Sequence, residues 1–294
     1  MRCILDTALN NIKMKYSAKK GASHIAKILI YVVLTALALI YLFPFFWMII
    51  TSVKPDKELM AWPPTLIPHG LQLINYPDAL TYIPFFTYVK NTLIYCFSSV
   101  IGAILSCTLA AYGFSRIKWP ERDKIFLLVL STMMLPTQVT MIPMFIVFTK
   151  LGWVGSLKPL IVPTFFGMPF FIFLLRQFFM GIPFELSDAA KIDGCSELRI
   201  FYNVLLPLVK PAIATVALFQ FLGAWNDFMN PLIYLNDEAK FTISIGLQMF
   251  VGRVGTKWGM LMAASTVVTI PIIVIFFFTQ KTFIQGIAMT GIKG

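Results

Sequence analysis

The sequence predicts an all-α, polytopic membrane bundle of about six transmembrane helices, and three observations carry that prediction. Hydrophobic residues fill 58% of the 294 positions and charged residues only 13%, with a mean hydropathy of +0.80. An ordinary soluble domain carries roughly twice that charged share. Apolar runs long enough to cross about 30 Å of hydrocarbon lie near residues 27–50, 91–113, 125–148, 159–180, 208–235 and 259–280. None alternates with the period of barrel strands, and helices alone then satisfy their own backbone N–H and C=O groups in lipid.

Taken in order, residues 1–26 form a basic N-terminal segment. The run from Ile28 to Ile50 is longer than a signal-peptide core and no small-residue cleavage site follows, so it reads as the first span. The connection from Thr51 to Pro84 holds Pro55, Pro63, Pro64, Pro68, Pro77 and Pro84 and is expected to be irregular, either a solvated loop or a contact for an external partner. In the second span Ser98, Gly102, Ser106 and Ala110 recur every fourth residue, with Ser99, Ala103, Cys107 and Ala111 beside them. Such a stripe lets two helix backbones approach closely. Pro136 and Pro143 in the third span, and Pro163 and Pro169 in the fourth, are expected to kink those helices. Gly252 to Lys257 superficially resembles a phosphate loop but lacks its spacing. The domain reading is 1–26, a transmembrane core 27–282 with an inserted loop 181–207, and a tail 283–294.

Lys and Arg in the connections favour both termini and the 181–207 loop on the cytoplasmic side by about two to one. The net charge of +11 comes with no nucleic-acid-binding motif or basic aromatic domain, so membrane orientation accounts for it better. Cys3, Cys96, Cys107 and Cys195 show no metal spacing, and His24 and His69 have no ligand companions. No Ser/His/Asp, paired-carboxylate or nucleotide-loop set is present, which argues against an enzyme.

Polar residues within the spans are Gln138, Gln220, Asn226, Asp227 and Asn230. Gln220, Asp227 and Asn230 fall near one face of a continuous fifth helix. They serve either interhelical hydrogen bonds or a wet path for cargo. Trp225 and Phe228 offer aromatic faces that suit a sugar ring, and equally suit a membrane interface.

From Phe184 to Pro207 a polar, helix-forming stretch separates two apolar runs. Pro183 is placed for the first helical position, Glu185 and Asp188 favour the positive end of a short helix, and Gly194 can close it in the left-handed conformation. Ser196 then caps a second helix with Leu198, Phe201 and Leu205 on one face, ended by Pro207. Ala189 and Ala190 leave room for a partner. Asp188-Ala189-Ala190, Gly194, Val204 and Leu206-Pro207 match the spacing of the EAA loop, and at these residues the chain resembles the permeases of binding-protein-dependent ABC importers. Asp188 stands where that family carries Glu, and Val204 where it carries Ile.

Tyr41 to Pro44, Trp225 to Phe228 and the tail from Gln285 to Gly294 extend the likeness to the MalG-type permeases of oligosaccharide importers. The resemblance implies an ABC type I importer fold in a bacterial inner membrane. It implies a second homologous permease, two cytoplasmic ATPase subunits, an extracytoplasmic sugar-binding protein and a carbohydrate cargo. ATP and Mg would then sit on the ATPase partner, with no cofactor on this chain. It further implies that Glu185, Asp188, Ala189, Ala190, Asp193, Gly194, Phe201 and Pro207 meet the ATPase, and that Gln285, Gly286, Gly291 and Lys293 reach toward it. A carrier or channel run by an ion gradient is the alternative, which intramembrane acids and paired broken spans would favour.

Overall fold

The computed structural model describes the backbone of residues 2–252 and 255–291, and the side chains of 24, 26–252 and 255–280. Most of it is helical. α1 (Arg2–Ser52) carries the first apolar stretch, Ala26–Ser52, whose most apolar window buries no side chain within the chain. α2 (Asp56–Leu59) and α3 (Asn75–Tyr82) lie in the following connection, and α4 (Phe85–Ser115) is the second span. The third run forms α5 (Arg122–Ser131) and α6 (Thr137–Lys150), and the fourth forms α7 (Lys158–Ile161), a 3₁₀ turn Val162–Phe166 and α8 (Pro169–Met180). After the polar stretch come α12 (Lys210–Trp225), α13 (Met229–Tyr234), α14 (Ile243–Gln248) and α15 (Trp258–Gly291).

Among the described residues four helical stretches are long and apolar enough to cross a membrane, or up to six if each of two bent pairs is counted as one span. The third run is bent by 98° between Met134 and Thr137. Leu135 is extended (ψ 119°) because the following Pro136 disfavours a helical conformation there.

The fifth run departs most from expectation. The chain passes through Pro207 in helical conformation and bends by 77° at Val209, so Pro207 does not close the helix. In a straight helix the ring of Pro211 would meet the Pro207 carbonyl, which places the bend between them. The run is interrupted again after Trp225, and Gln220, Asp227 and Asn230 therefore do not share a helical face. Pro231 cannot donate to the Asp227 carbonyl, and the Asp227 carboxylate takes the Asn230 backbone N–H at 3.2 Å, so local bonding favours a turn over a continuous helix.

The connection 51–84 is also more ordered than its prolines suggest. Buried Asn75 donates to the Ser52 carbonyl at 2.9 Å, Gln72 N donates to Val53 O at 2.8 Å, and the Lys54 ammonium bonds the Thr65 carbonyl while resting over the Trp47 ring. Side-chain bonds to backbone replace regular structure and seat α3 against α15. The Gly252 to Lys257 stretch contributes to a hairpin in which Val251 pairs with Thr256 and Gly252 with Gly255.

α4 is the central mast, packing along α12, α8 and the 3₁₀ turn. It supplies Ala103, Cys107, Ala111 and Tyr112 to one buried cluster, Tyr95 and Cys96 to a second, and Phe85 and Tyr88 to a third. The small-residue stripe does what its spacing predicts. A Cβ at Gly102 would collide with Thr164 Oγ1 and the Phe165 ring, and Ser106 Oγ lies 2.8 Å from the Gly102 carbonyl and 2.9 Å from that of Thr164. Gly102→Val is expected to force these backbones apart, costing about 2 kcal/mol. A lowered unfolding midpoint in detergent checks it, and an unchanged midpoint would remove the close contact from the argument.

Candidate functional site

The polar stretch folds as a hinged pair of short helices. α9 (Glu185–Ile192) begins where the Phe184 carbonyl accepts the N–H groups of Ser187 and Asp188, at 2.9 and 3.0 Å. Pro183 lies one position before that cap rather than at the first helical residue, and its carbonyl receives Arg116 Nη1 at 3.4 Å. Glu185 and Asp188 occupy the first turn and Lys191 the last, each with the favourable sign for the helix dipole. Gly194 closes α9 with φ +75°. Its N–H bonds Lys191 O at 3.0 Å and Cys195 N–H bonds Ala190 O at 2.9 Å, the Schellman pattern that a left-handed residue permits.

Ser196 then caps α10 (Glu197–Arg199) through a 3.4 Å bond from Arg199 N. A π-helical segment, Ile200–Leu205, follows directly, and α11 (Leu206–Leu208) ends the stretch. Pro207 lacks the N–H that an α-helix would send to Asn203, and the wider π turn lies just before it. That extra residue per turn aligns Ile200 with Leu205 and turns Leu198 away. Ile200, Phe201 and Leu205 are buried while Leu198 is 65% exposed, which corrects the predicted face.

Glu185, Asp188, Ala189, Asp193, Gly194 and Pro207 are exposed, whereas Ala190 and Phe201 belong to the buried core. The two buried residues hold the elbow to the bundle, so Ala190 leaves no outer space for a partner. Two residues outside the predicted partner-facing set join the exposed ones: Ile192, 87% exposed and passed over in the sequence, and Leu198, which the sequence placed on a face with Phe201 and Leu205. Their signal was available, as large aliphatic groups in a polar stretch.

Four side chains, Arg116, Tyr112, Glu197 and Lys191, clasp the elbow to the end of α4. The Arg116 guanidinium, 8% exposed, donates to the carbonyls of Phe179, Ile182 and Pro183 and lies 4.5 Å from the Phe184 ring centroid. Tyr112 donates to the Glu197 carboxylate, which pairs with Lys191 Nζ at 2.7 Å. The hydrogen bond that Lys191 donates to the Glu197 carboxylate raises the Lys191 pKa from its ordinary value. α9, α10 and the end of α4 are thereby clasped into one body.

At the interrupted fifth run the predicted polar residues separate. Gln138 and Asn230 line a cavity of about 420 Å³ with Tyr95, Thr137, Thr140 and Tyr234. Trp225 and Asn226 line another, of about 430 Å³, with Phe228, Ser244 and Gln248. Asp227 joins the walls: its carboxylate accepts from Tyr95 Oη at 2.9 Å and Asn230 Nδ2 at 3.0 Å, and its carbonyl accepts from Ser244 Oγ at 2.7 Å. Gln220 is buried and lines neither cavity. Trp225 is 2% exposed and one ring face is stacked on Phe221 at 5.6 Å, so it offers cargo less surface than its type suggests. In the tail, α15 remains helical through Gly291. The side chain of Gln285, the surroundings of Gly286 and Gly291, and all of Lys293 lie outside the described residues.

Comparison with known proteins agrees with this architecture. Over 279 residues the chain is 34% identical to the arabinooligosaccharides transport system permease protein AraQ of Halalkalibacterium halodurans, covering 94% of this chain and 100% of that protein. It is 33% identical to the trehalose/maltose transport system permease protein MalG of Thermococcus litoralis, covering 91% and 97%. The fold superimposes with a TM-score of 0.78, at 24% identity, on a chain from the crystal structure of a bacterial ABC transporter involved in import of the acidic polysaccharide alginate, covering 89% of this chain and 98% of that one. Residues 101–289, which include the elbow, the interrupted run and most of α15, match the family model for binding-protein-dependent transport system inner membrane components, and the chain belongs to that family.

Proposed function

We propose that this chain is the transmembrane permease subunit through which an ABC importer takes up a carbohydrate, an oligosaccharide above all. A second homologous permease completes the pathway, an extracytoplasmic binding protein delivers the sugar, and two cytoplasmic ATPase subunits hold ATP and Mg. This chain binds no cofactor and hydrolyses nothing. Residues 27–282 are the permease core, with the coupling elbow at 181–207 and cytoplasmic ends at 1–26 and 283–294.

The observation that supports this reading most is the clasped elbow. It presents Asp188, Ala189 and Gly194 outward beside Ile192 and Leu198, for which this chain supplies little cover. Exposed aliphatic groups ringed by polar ones suit a protein partner. A lever bound firmly through Arg116 and Tyr112 moves the mast with whatever grips it. ATP-driven closure of the ATPase pair would then tilt α4 and the spans packed on it, turning an inward-facing path outward. The ATPase must grip the elbow differently in its two states, since equal affinity shifts no equilibrium. Gln138, Trp225, Asn226, Asp227 and Asn230 mark the cargo path, while Gln220 serves packing.

The test is reconstitution of the complete importer in proteoliposomes. Sugar uptake is expected to require ATP, and uptake on an ion gradient alone would show a secondary carrier instead. Asp188→Arg reverses the charge at the dipole-favoured end of α9 and is expected to lower ATPase co-purification at least tenfold, or about 1.4 kcal/mol. Wild-type association of that variant would remove Asp188 from the docking surface.

A further inference from the structure

Neither cavity beside the interrupted run is lined by a Lys, Arg, Asp or Glu. The ionisable acid between them is Asp227. Its carboxylate oxygens accept from three uncharged donors, Tyr95 Oη at 2.9 Å, Asn230 N at 3.2 Å and Asn230 Nδ2 at 3.0 Å, and it forms no ion pair with any described residue. Its carbonyl holds Ser244 on the wall of the second cavity. The acid thus lies directly behind the Tyr95 and Asn230 wall, ion-paired with no cation among the described residues.

We infer that Asp227 makes this path selective for uncharged saccharides and turns away uronates and sugar phosphates. The inference rests on the proposal that these cavities belong to the cargo path. A second negative charge about 8 Å away, at an effective dielectric near 20, is disfavoured roughly thirtyfold. A neutral saccharide meets no such field and can exchange hydrogen bonds with Gln138, Asn230 and Tyr95. A hydrogen-bonding hub alone does not need the charge, since an amide oxygen accepts from the same donors.

The test uses the complete importer in lipid nanodiscs without binding protein, so that the delivery step imposes no choice. Binding of a neutral pentasaccharide is compared by saturation-transfer NMR with that of the same backbone oxidised to a uronate at every C6. The wild type is expected to favour the neutral sugar at least tenfold. Asp227→Asn should bring the ratio within about threefold, whereas Tyr95→Phe, which removes a donor and keeps the charge, should preserve it. Asp227→Ser, which keeps a hydrogen-bonding oxygen without the charge, should level the ratio in the same way, and it carries the test if Asp227→Asn does not fold. A wild-type ratio near one, or an unchanged ratio in Asp227→Asn or, where that variant does not fold, in Asp227→Ser, overturns the charge selection alone. Binding of neither saccharide overturns the carbohydrate path, and the selection with it.

Discussion

Arg116→Leu is expected to cut sugar uptake by the reconstituted importer to below a tenth of wild type while ATP hydrolysis continues, because the elbow would lose its attachment to the mast. The guanidinium donates to the carbonyls of Phe179, in the last turn of α8, and of Ile182 and Pro183, in the turn joining α8 to α9. Leucine leaves these acceptors without their donor in a largely water-free site. Hydrogen bonds to a charged group are worth about 1.5–3 kcal/mol each, and a buried acceptor left bare costs a comparable amount. The net loss should be about 3 kcal/mol or more, enough to detach the turn without dissolving three separate apolar clusters. Uptake and hydrolysis measured on the same vesicles separate loss of coupling from loss of the complex. Arg116→Lys should fall between, since one ammonium cannot span the geometry that a planar fork covers. Wild-type uptake per ATP in Arg116→Leu would mean that the clasp transmits nothing.

Arg116 also shows where sequence reading stops. Its partners are backbone carbonyls 63 to 67 positions away, and carbonyls leave no mark in a sequence. What repeats locally was legible: the stripe from Ser99 to Ala111 is buried in register, Gly194 takes the left-handed conformation and Ser196 caps its helix. These features follow from helical period and from the conformational range of single residues. The predicted face of Leu198, Phe201 and Leu205 assumed 3.6 residues per turn throughout and failed at Leu198, which lies just before a π segment, Ile200–Leu205, that widens the helix.

The interrupted fifth run failed for a related reason. Hydropathy reports that residues are apolar, and two proline-directed breaks in an apolar run barely change it. Asp227 was legible as an outlier. Its place between two uncharged cavities needed the fold, because Tyr95 and Ser244 reach it from other helices. The connection 51–84 misled through composition, since its order comes from side chains such as Asn75 bonding to backbone.

Gly194→Pro should abolish coupled transport more completely than any other single change in the elbow. Proline holds φ near −65°, whereas Gly194 sits at +75°, so the substitution cannot be absorbed by small shifts. It also deletes the N–H that bonds Lys191 O at 3.0 Å and thereby half of the Schellman closure. Helix and turn terms together amount to about 3 kcal/mol, concentrated at one hinge. Space is not the issue, since a Cβ at Gly194 would meet nothing within 4 Å. That separates conformation from crowding: Gly194→Asn, which tolerates the left-handed region, should keep most uptake, and Gly194→Ala should lose about 1 kcal/mol of local stability and keep part of it. The order Gly, Asn, Ala, Pro in uptake per ATP therefore follows backbone preference rather than side-chain size. Asn, Ala and Pro falling alike would point instead to a contact made by the glycine backbone with the ATPase, and full uptake by the proline variant would show that the angle between α9 and α10 is irrelevant to transport.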